Sequence, residues 1–492
     1  MEPDRQGASA EPDEEAEGEA TLARDVRWYS HQPNLSGQGI IAAYSGRFWV
    51  LTVLLGVVCG VGASVMIGLL NLVERLAYGS GGSGFLGAVA RTPALGHIAA
   101  LMIAAVIVIV GLRVLKRLPT SGGTEVSDAL WLQGGHMAWR GSVARGVLSI
   151  VTVGLGVSLG REAAPQLVGA ATASKLATWA DLPTWQRRLL VASGAGAGFA
   201  AVYNVPLGGT LLAMEVMLGT LALPLVLPAL ITSVTATAVA WITLGTHPSY
   251  AVPTYAFHPT LLLWAVLMGP VIGIVAVVWV RLISGAAARR PRGRLRWVAP
   301  PFVFLALALL SVQYPTLLGN GKDIVQLAVV GKLSLGLLAV LFLLKPLVTA
   351  ACITSGSPGG LFTPTFSVGV LFTSATGILW SHIWGGALPG SFALIGGGAF
   401  LAACMQGPLS GAVLVLELTR HFDALMVPTL IAVAEATIVA RRFGSASIYS
   451  ARLRLNPEAS ASASAAALAT LHALDETLPA DFLQAPVSGS SV

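Results

Sequence analysis

Acidic side chains are almost missing from the body of this 492-residue chain. Nine of its 23 Asp and Glu residues fall in the first 25 positions, MEPDRQGASAEPDEEAEGEATLARD, and only ten lie between Tyr44 and Leu455. Charge of either sign is scarce, at 11% of residues against 55% hydrophobic, with a mean hydropathy of +0.76. That balance excludes a soluble enzyme of ordinary composition and describes a polytopic membrane protein whose partner is the lipid bilayer. The net charge of +6 comes from loop arginines rather than a nucleic-acid surface, so no nucleic acid is expected as a partner. Cysteine is scarce too. Cys59, Cys352 and Cys404 sit in apolar stretches without paired spacing, which excludes a disulfide or metal framework and leaves them as small buried hydrophobes. The histidines show no ligand spacing, so neither a metal nor a cofactor is expected. A basic n-region leading into an apolar core is also missing at the start, so the first apolar segment reads as a membrane helix rather than a cleaved signal.

Apolar segments follow one another from about 48 to 440. Those at 48–76, 222–245 and 260–284 are long enough to cross a bilayer, whereas 189–202, 205–216, 392–405 and 408–419 fall short of the roughly 20 residues needed. Short helices broken by Gly and Pro are tolerated at membrane depth only where their ends are buried in protein or line a cavity. The chain therefore divides into an acidic, disordered tail (1–44), a membrane half (45–246), a second membrane half (258–442), the start of a C-terminal helix (443–456) and an Ala/Ser-rich tail (457–492).

The two halves are repeats. NVPLGGTLLAMEV (204–216) matches QGPLSGAVLVLEL (406–418) through Pro206/Pro408, Leu207/Leu409, Gly209/Gly411, Leu212/Leu414 and Glu215/Glu417, all 202 residues apart. Upstream, Gly194, Gly196 and Ala200 fall on Gly396, Gly398 and Ala402 at the same offset, and GREAAP (160–165) falls on GGLFTP (359–364) at offset 199. Gly56-x-x-x-Gly60 has a counterpart in Gly269-x-x-x-Gly273, spacing suited to close helix packing. The turns at 111–120, 283–297 and 440–444 are rich in Arg, whereas 78–90 and 246–260 carry no Lys or Arg, so the basic ones are expected on the cytoplasmic side. On that assignment the repeats are inverted and both termini are cytoplasmic. Inverted repeats interrupted at corresponding points place a transport site at their interface.

Three glycine-rich breaks, PTSGGTEV (119–126), LGREAAP (159–165) and SGSPGGLFTP (355–364), each precede an apolar helix. The free N–H groups and positive dipole end of such a helix attract an anion without a full charge that would trap it. Into the second break the sequence sets adjacent charges, Arg161 and Glu162. Neighbours on a helix point about 100° apart and make poor ion-pair partners, so they call for separate explanations.

These residues resemble the CLC family of chloride channels and proton-coupled chloride antiporters, over about residues 45–455. GRE (160–162) looks like the start of the family's GREGP motif, GGLFTP like GGIFAP, TSGGTE (120–125) loosely like GSGIPE, and IYSAR (448–452) like the segment with a pore-lining tyrosine. The resemblance implies an all-α polytopic fold of two inverted repeats of short, tilted and broken helices, and a homodimer in the plasma (inner) membrane of a bacterium. The run 221–242 is a candidate for its interface. The resemblance also implies chloride as the transported ion, with other small anions and protons as further candidates. Carried over residue by residue, Ser121, Tyr449 and the N–H groups of Leu361 and Phe362 would hold a central anion, and the backbone from Arg161 to Ala163 an outer one. Glu162 would be the gate, its carboxylate occupying an anion position and leaving when protonated or displaced. Arg161 reads as structural, held by carbonyls or by a carboxylate such as Glu125.

The departures from the family pattern concern the proton. Antiporters of the family carry a second glutamate directly after the residue matching Glu215, where this chain has Val216, and an aliphatic side chain cannot relay a proton. Channel-like or weakly coupled conduction is therefore the expectation, with chloride/proton exchange as the alternative. Glu215 itself is a candidate for the proton path or for lining the cavity. A cation/proton symporter would need more midplane carboxylates than these, and an enzyme would need a nucleophile with a placed base, which the sequence does not offer.

Overall fold

The computed structural model describes residues 44–79, 84–118, 125–420 and 424–451. They belong to two compact units, Met1–Trp49 and Val50–Val492, of which the second carries the repeats. Among the described residues the secondary structure is helical, with an antiparallel bridge between Gly160 and Gly360. The first half contains α1 (Gly46–Tyr78), α2 (Gly84–Arg91), α3 (Ala94–Leu115), α4 (Val126–Leu132), α5 (Trp139–Gly154), α6 (Ala163–Trp179), α7 (Thr184–Tyr203), α8 (Pro206–Leu211, continued by a π-helical stretch Leu212–Leu218) and α9 (Leu223–Leu244). The second contains α10 (Thr260–Ala288), α11 (Leu295–Gln313), α12 (Lys322–Val329), α13 (Leu335–Thr354), α14 (Phe362–Ile383), α15 (Pro389–Met405), α16 (Pro408–Thr419) and α17 (Met426–Arg442). Seven of these, α1, α3, α9, α10, α11, α13 and α14, are long and apolar enough to cross a membrane.

The repeat seen in the sequence recurs in the local geometry. Helices α7 and α15 end on Asn204 (φ 60°) and Gln406 (φ 58°), left-handed residues 202 positions apart, and Pro206 and Pro408 then start the next helix. A proline fits a first turn because its missing N–H would have no partner there. The paired glycines also do equivalent jobs. A Cβ on Gly60 would stand 2.5 Å from the carbonyl oxygen of Ala236 in α9, and one on Gly273 would stand 2.6 Å from that of Ala436 in α17. Thus α1 approaches α9 as α10 approaches α17, with backbones too close for any side chain. Helices α7 and α15 are buried all round, from Leu189 to Tyr203 and from Gly390 to Met405, and form the apolar interior of each half.

Helices α8 and α16 join the halves. Glu417, near the end of α16, accepts the N–H groups of Leu207 (3.1 Å) and Gly208 (2.6 Å) at the start of α8. Glu215, in the π-helical continuation of α8, accepts those of Leu409 (3.1 Å) and Ser410 (2.6 Å) at the start of α16, and the Ser410 hydroxyl at 2.7 Å. Each helix caps the other, so the two run antiparallel, as inverted repeats require. A carboxylate at a helix N-terminus satisfies orphan donors and meets the positive end of the dipole. The segment 443–456 is read from sequence as the start of a helix; its described part, 443–451, runs as turns and irregular chain.

Candidate functional site

Two of the three glycine-rich breaks meet inside the protein. Gly160 and Gly360 exchange N–H···O bonds in both directions at 2.8 Å, which sets the start of α6 beside the start of α14. Into this junction projects the side chain of Glu162, only 1% exposed. Its Oε1 accepts the N–H of Phe362, the first residue of α14, at 2.7 Å. Its Oε2 accepts the hydroxyl of Tyr203 at 3.1 Å and, at 3.4 Å, that of Thr363, and these two hydroxyls lie 2.6 Å apart. A Cβ on either Gly160 or Gly360 would run into the Glu162 carboxylate, so glycine at both places is what gives it room. The rings of Phe199, Tyr203 and Phe362 pack around the seat, with centroids 4.7 Å (Phe199–Phe362) and 5.4 Å (Tyr203–Phe362) apart. The Glu162 carboxyl group therefore sits buried at a helix N-terminus, held by a backbone N–H and a linked pair of hydroxyls. Such a seat suits any small anion that could replace it.

The residues named from sequence distribute unevenly around this seat. Phe362 lies on it. Leu361 is buried one position before α14 and its carbonyl accepts the N–H of Thr365. Ala163 is the first residue of α6. Tyr449 is half-buried, and its segment is anchored to the end of α15 by the N–H of Ile448 on the carbonyl of Cys404 at 2.8 Å. Ser121 lies outside the described residues. Glu215 is engaged at the start of α16, so both its oxygens serve the helix cap.

Arg161 is braced differently from the expectation. Glu125 forms its ion pair with Arg145 at 2.6 Å, while the Arg161 guanidinium lies over the ring of Tyr203 at 5.1 Å. A cation over an aromatic face is attracted by the ring quadrupole and needs no carboxylate. Arg161 also interacts electrostatically with Glu74, Lys322 and Asp323, which gathers charge on one side of the junction.

Three residues around the junction went unnoticed in the sequence. Tyr203 directly precedes the repeated NVPLGG segment, and its repeat mate is Met405, so the lone hydroxyl was the available signal. Thr363 pairs with Ala164 at the 199-residue offset and differs in the same way. Lys345 stands in the apolar run LGLLAVLFLLKPLVTA, where an ionisable residue marks a functional or bracing position. It is fully buried, and its ammonium donates to the Ser158 hydroxyl at 2.7 Å and to the carbonyls of Leu317 and Gly319 at 3.3 Å each. Through Ser158 it ties α13 to the loop that carries Gly160, Arg161 and Glu162.

Comparison with known proteins bears on the family and the fold. Residues 103–441 match the family model described as voltage gated chloride channel. The H(+)/Cl(-) exchange transporter ClcA of Cronobacter sakazakii is 31% identical over 381 residues, covering 74% of this chain and 81% of that protein. The voltage-gated ClC-type chloride channel ClcB of Salmonella typhi is 31% identical over 371 residues, 73% of this chain and 85% of that one. Among solved structures, a slow cyanobacterial Cl-/H+ antiporter superposes with a TM-score of 0.74 at 21% identity, over 85% of this chain and 99% of that one. A CLC-type fluoride/proton antiporter superposes with a TM-score of 0.66 at 21% identity, over 82% and 97%. Seven membrane-length helices, two inverted repeats and a family match across most of the body agree: the chain is an integral membrane protein and belongs to the CLC family of voltage gated chloride channels.

Proposed function

We propose that this chain carries chloride across a bacterial membrane by a path within each subunit of a homodimer, in exchange for protons taken up by Glu162. The observation that carries this reading is the carboxylate seated on the Phe362 N–H at 2.7 Å. One position can hold either a carboxylate or a chloride ion. When chloride takes the seat the carboxylate must leave it, and a carboxylate moved into an apolar setting leaves more readily as the neutral acid. Anion entry and proton uptake then compete for one place, which is the elementary requirement for exchange. The relatives named as H(+)/Cl(-) exchange transporters support exchange over the channel-like behaviour that Val216 suggests.

Val216 favours a second reading, passive or loosely coupled conduction. It sits against Gly407 at the start of α16 with no ionisable atom to pass a proton inward. Purified protein in liposomes, with chloride and pH recorded together under a chloride gradient, separates the two. Exchange predicts proton movement against its own gradient in fixed proportion to chloride. Chloride flux with no proton movement would establish conduction, and absence of any anion flux would end both readings. The basic turns at 111–120 and 283–297 would face the cytoplasm in either case. Helix α9, with Leu223, Val234 and Ile242 exposed, would supply part of the subunit contact.

A further inference from the structure

We infer that the hydroxyls of Tyr203 and Thr363 are ligands of the transported anion, a donor pair that holds Glu162 while the seat is closed and passes to the anion when the carboxylate leaves. This rests on the proposed exchange at Glu162 and adds to it two side-chain ligands beyond the residues named from the sequence.

The geometry is that of a complete donor set around one acceptor. The Phe362 N–H reaches one carboxylate oxygen at 2.7 Å, and the Tyr203 and Thr363 hydroxyls reach the other at 3.1 Å and 3.4 Å. Both side chains are buried, at 1% and 0% exposure, so while the seat is closed the Glu162 carboxylate is their acceptor, and once it swings away they need another that enters from outside. The two hydroxyls lie 2.6 Å apart, and one can satisfy the other. With a single acceptor shared between them, at least one O–H and the Phe362 N–H are then left pointing into an apolar junction, which is costly. A small anion in the vacated seat accepts from the Phe362 N–H and from whichever hydroxyl is not donating to the other, the second hydroxyl polarising the first.

The fold itself does not call for these hydroxyls. Their repeat mates, Met405 and Ala164, occupy the equivalent helix end and helix start in the other half with no hydroxyl at all. The charged and titratable groups facing Tyr203 are few. Arg161 lies over its ring at 5.1 Å, Glu162 accepts its hydroxyl, and Tyr250 interacts with it electrostatically; Phe199 and Phe362 complete the surroundings. Arg161 adds positive potential behind the ring without touching the seat. The pair of neutral donors suits a monovalent anion that must be released again, because hydroxyls bind it without a full opposing charge.

The test uses chloride binding to the purified full-length chain in detergent, by calorimetry at one fixed pH. In a Glu162→Gln background the tethered competitor carries no charge, so chloride can fill the seat. Adding Tyr203→Phe, which removes one oxygen and keeps the ring, is expected to weaken chloride binding roughly tenfold, about 1.4 kcal/mol. Thr363→Val in the same background is expected to weaken it as well, and stands independently should the phenylalanine variant fold poorly. Equal affinities in the parent and both variants would overturn the proposal, and so would a lowered thermal midpoint with unchanged affinity, the mark of a purely structural hydroxyl. If Glu162→Gln itself binds no chloride, the proposed function fails and this inference with it. Chloride binding that persists without Tyr203 and Thr363 dependence removes the inference alone.

Discussion

At the scale of the residue, Lys345 and Glu162 show how one membrane body holds two buried ionisable groups in different ways. Lys345 satisfies all three ammonium donors on neutral oxygens and forms no ion pair among the described residues. Breaking such an arrangement strands the Ser158 hydroxyl and two carbonyls, each at about 1–3 kcal/mol if left dry. Lys345→Met, which keeps the stem and drops the cation, should therefore lower the thermal midpoint of the purified protein by several degrees, with Lys345→Arg losing less. An unchanged midpoint would show that the ammonium braces nothing. Glu162, by contrast, is held only by groups that another anion could use equally well. Glu162→Gln should leave chloride flux in liposomes while abolishing its pH response and any proton movement. A variant that kept the wild-type pH response would exclude Glu162 as the gate.

At the scale of the element, the crossed caps on α8 and α16 explain a sequence feature that looked like chemistry. From sequence, Glu215 is a candidate for the proton path or for lining the cavity, but it and its repeat mate Glu417 each lie on the other helix's first N–H groups. Glu215→Gln and Glu417→Gln keep an acceptor and lose the charge at the dipole, so each should destabilise the protein by about 1–2 kcal/mol. If Glu215 is a cap alone, the chloride-to-proton ratio of Glu215→Gln stays at the wild-type value while its thermal midpoint falls. A changed ratio at constant stability would restore the relay. Gly273 gives the packing counterpart. A valine there would meet the Ala436 carbonyl and Val439 side chain, atoms that stand 2.6 Å and 2.9 Å from even a Cβ. Gly273→Val should separate α10 from α17 and yield aggregated protein on size-exclusion chromatography, whereas Gly273→Ala, with a smaller intrusion, should be milder.

At the scale of the whole molecule, the proposed unit is two copies, each with its own path. Leu223 and Ile242 of α9 are 74% and 83% exposed, large apolar side chains that lipid or a second copy could cover. Mass measurement of the detergent-solubilised protein should give twice the mass of the 492-residue chain, and Val234→Trp, a bulky intrusion in the middle of α9, should shift it toward the monomer. A monomer that still transports chloride would show that the second copy is dispensable. Val216 bears on the same scale, because coupling depends on a proton crossing the full thickness and not only reaching Glu162.

The sequence alone determined the membrane class, the two repeats, their broken helices and the glycine-rich starts of α6 and α14. All of these follow from local periodicity, from Gly and Pro, and from the offsets of 202 and 199 residues between equivalent motifs. It also singled out Glu162, because a carboxylate between apolar and small residues is costly unless something faces it. Only the tertiary structure decided what faces it. Tyr203 and Thr363 come from two different halves, 160 residues apart, and no periodicity within either half carries that meeting. The brace on Arg161, the burial of Lys345 against Ser158, and the crossed glutamate caps were likewise settled by the inverted packing of the halves. A hydrogen bond joins groups that are close in space, whereas a sequence pattern records only those close along the chain or repeated in it.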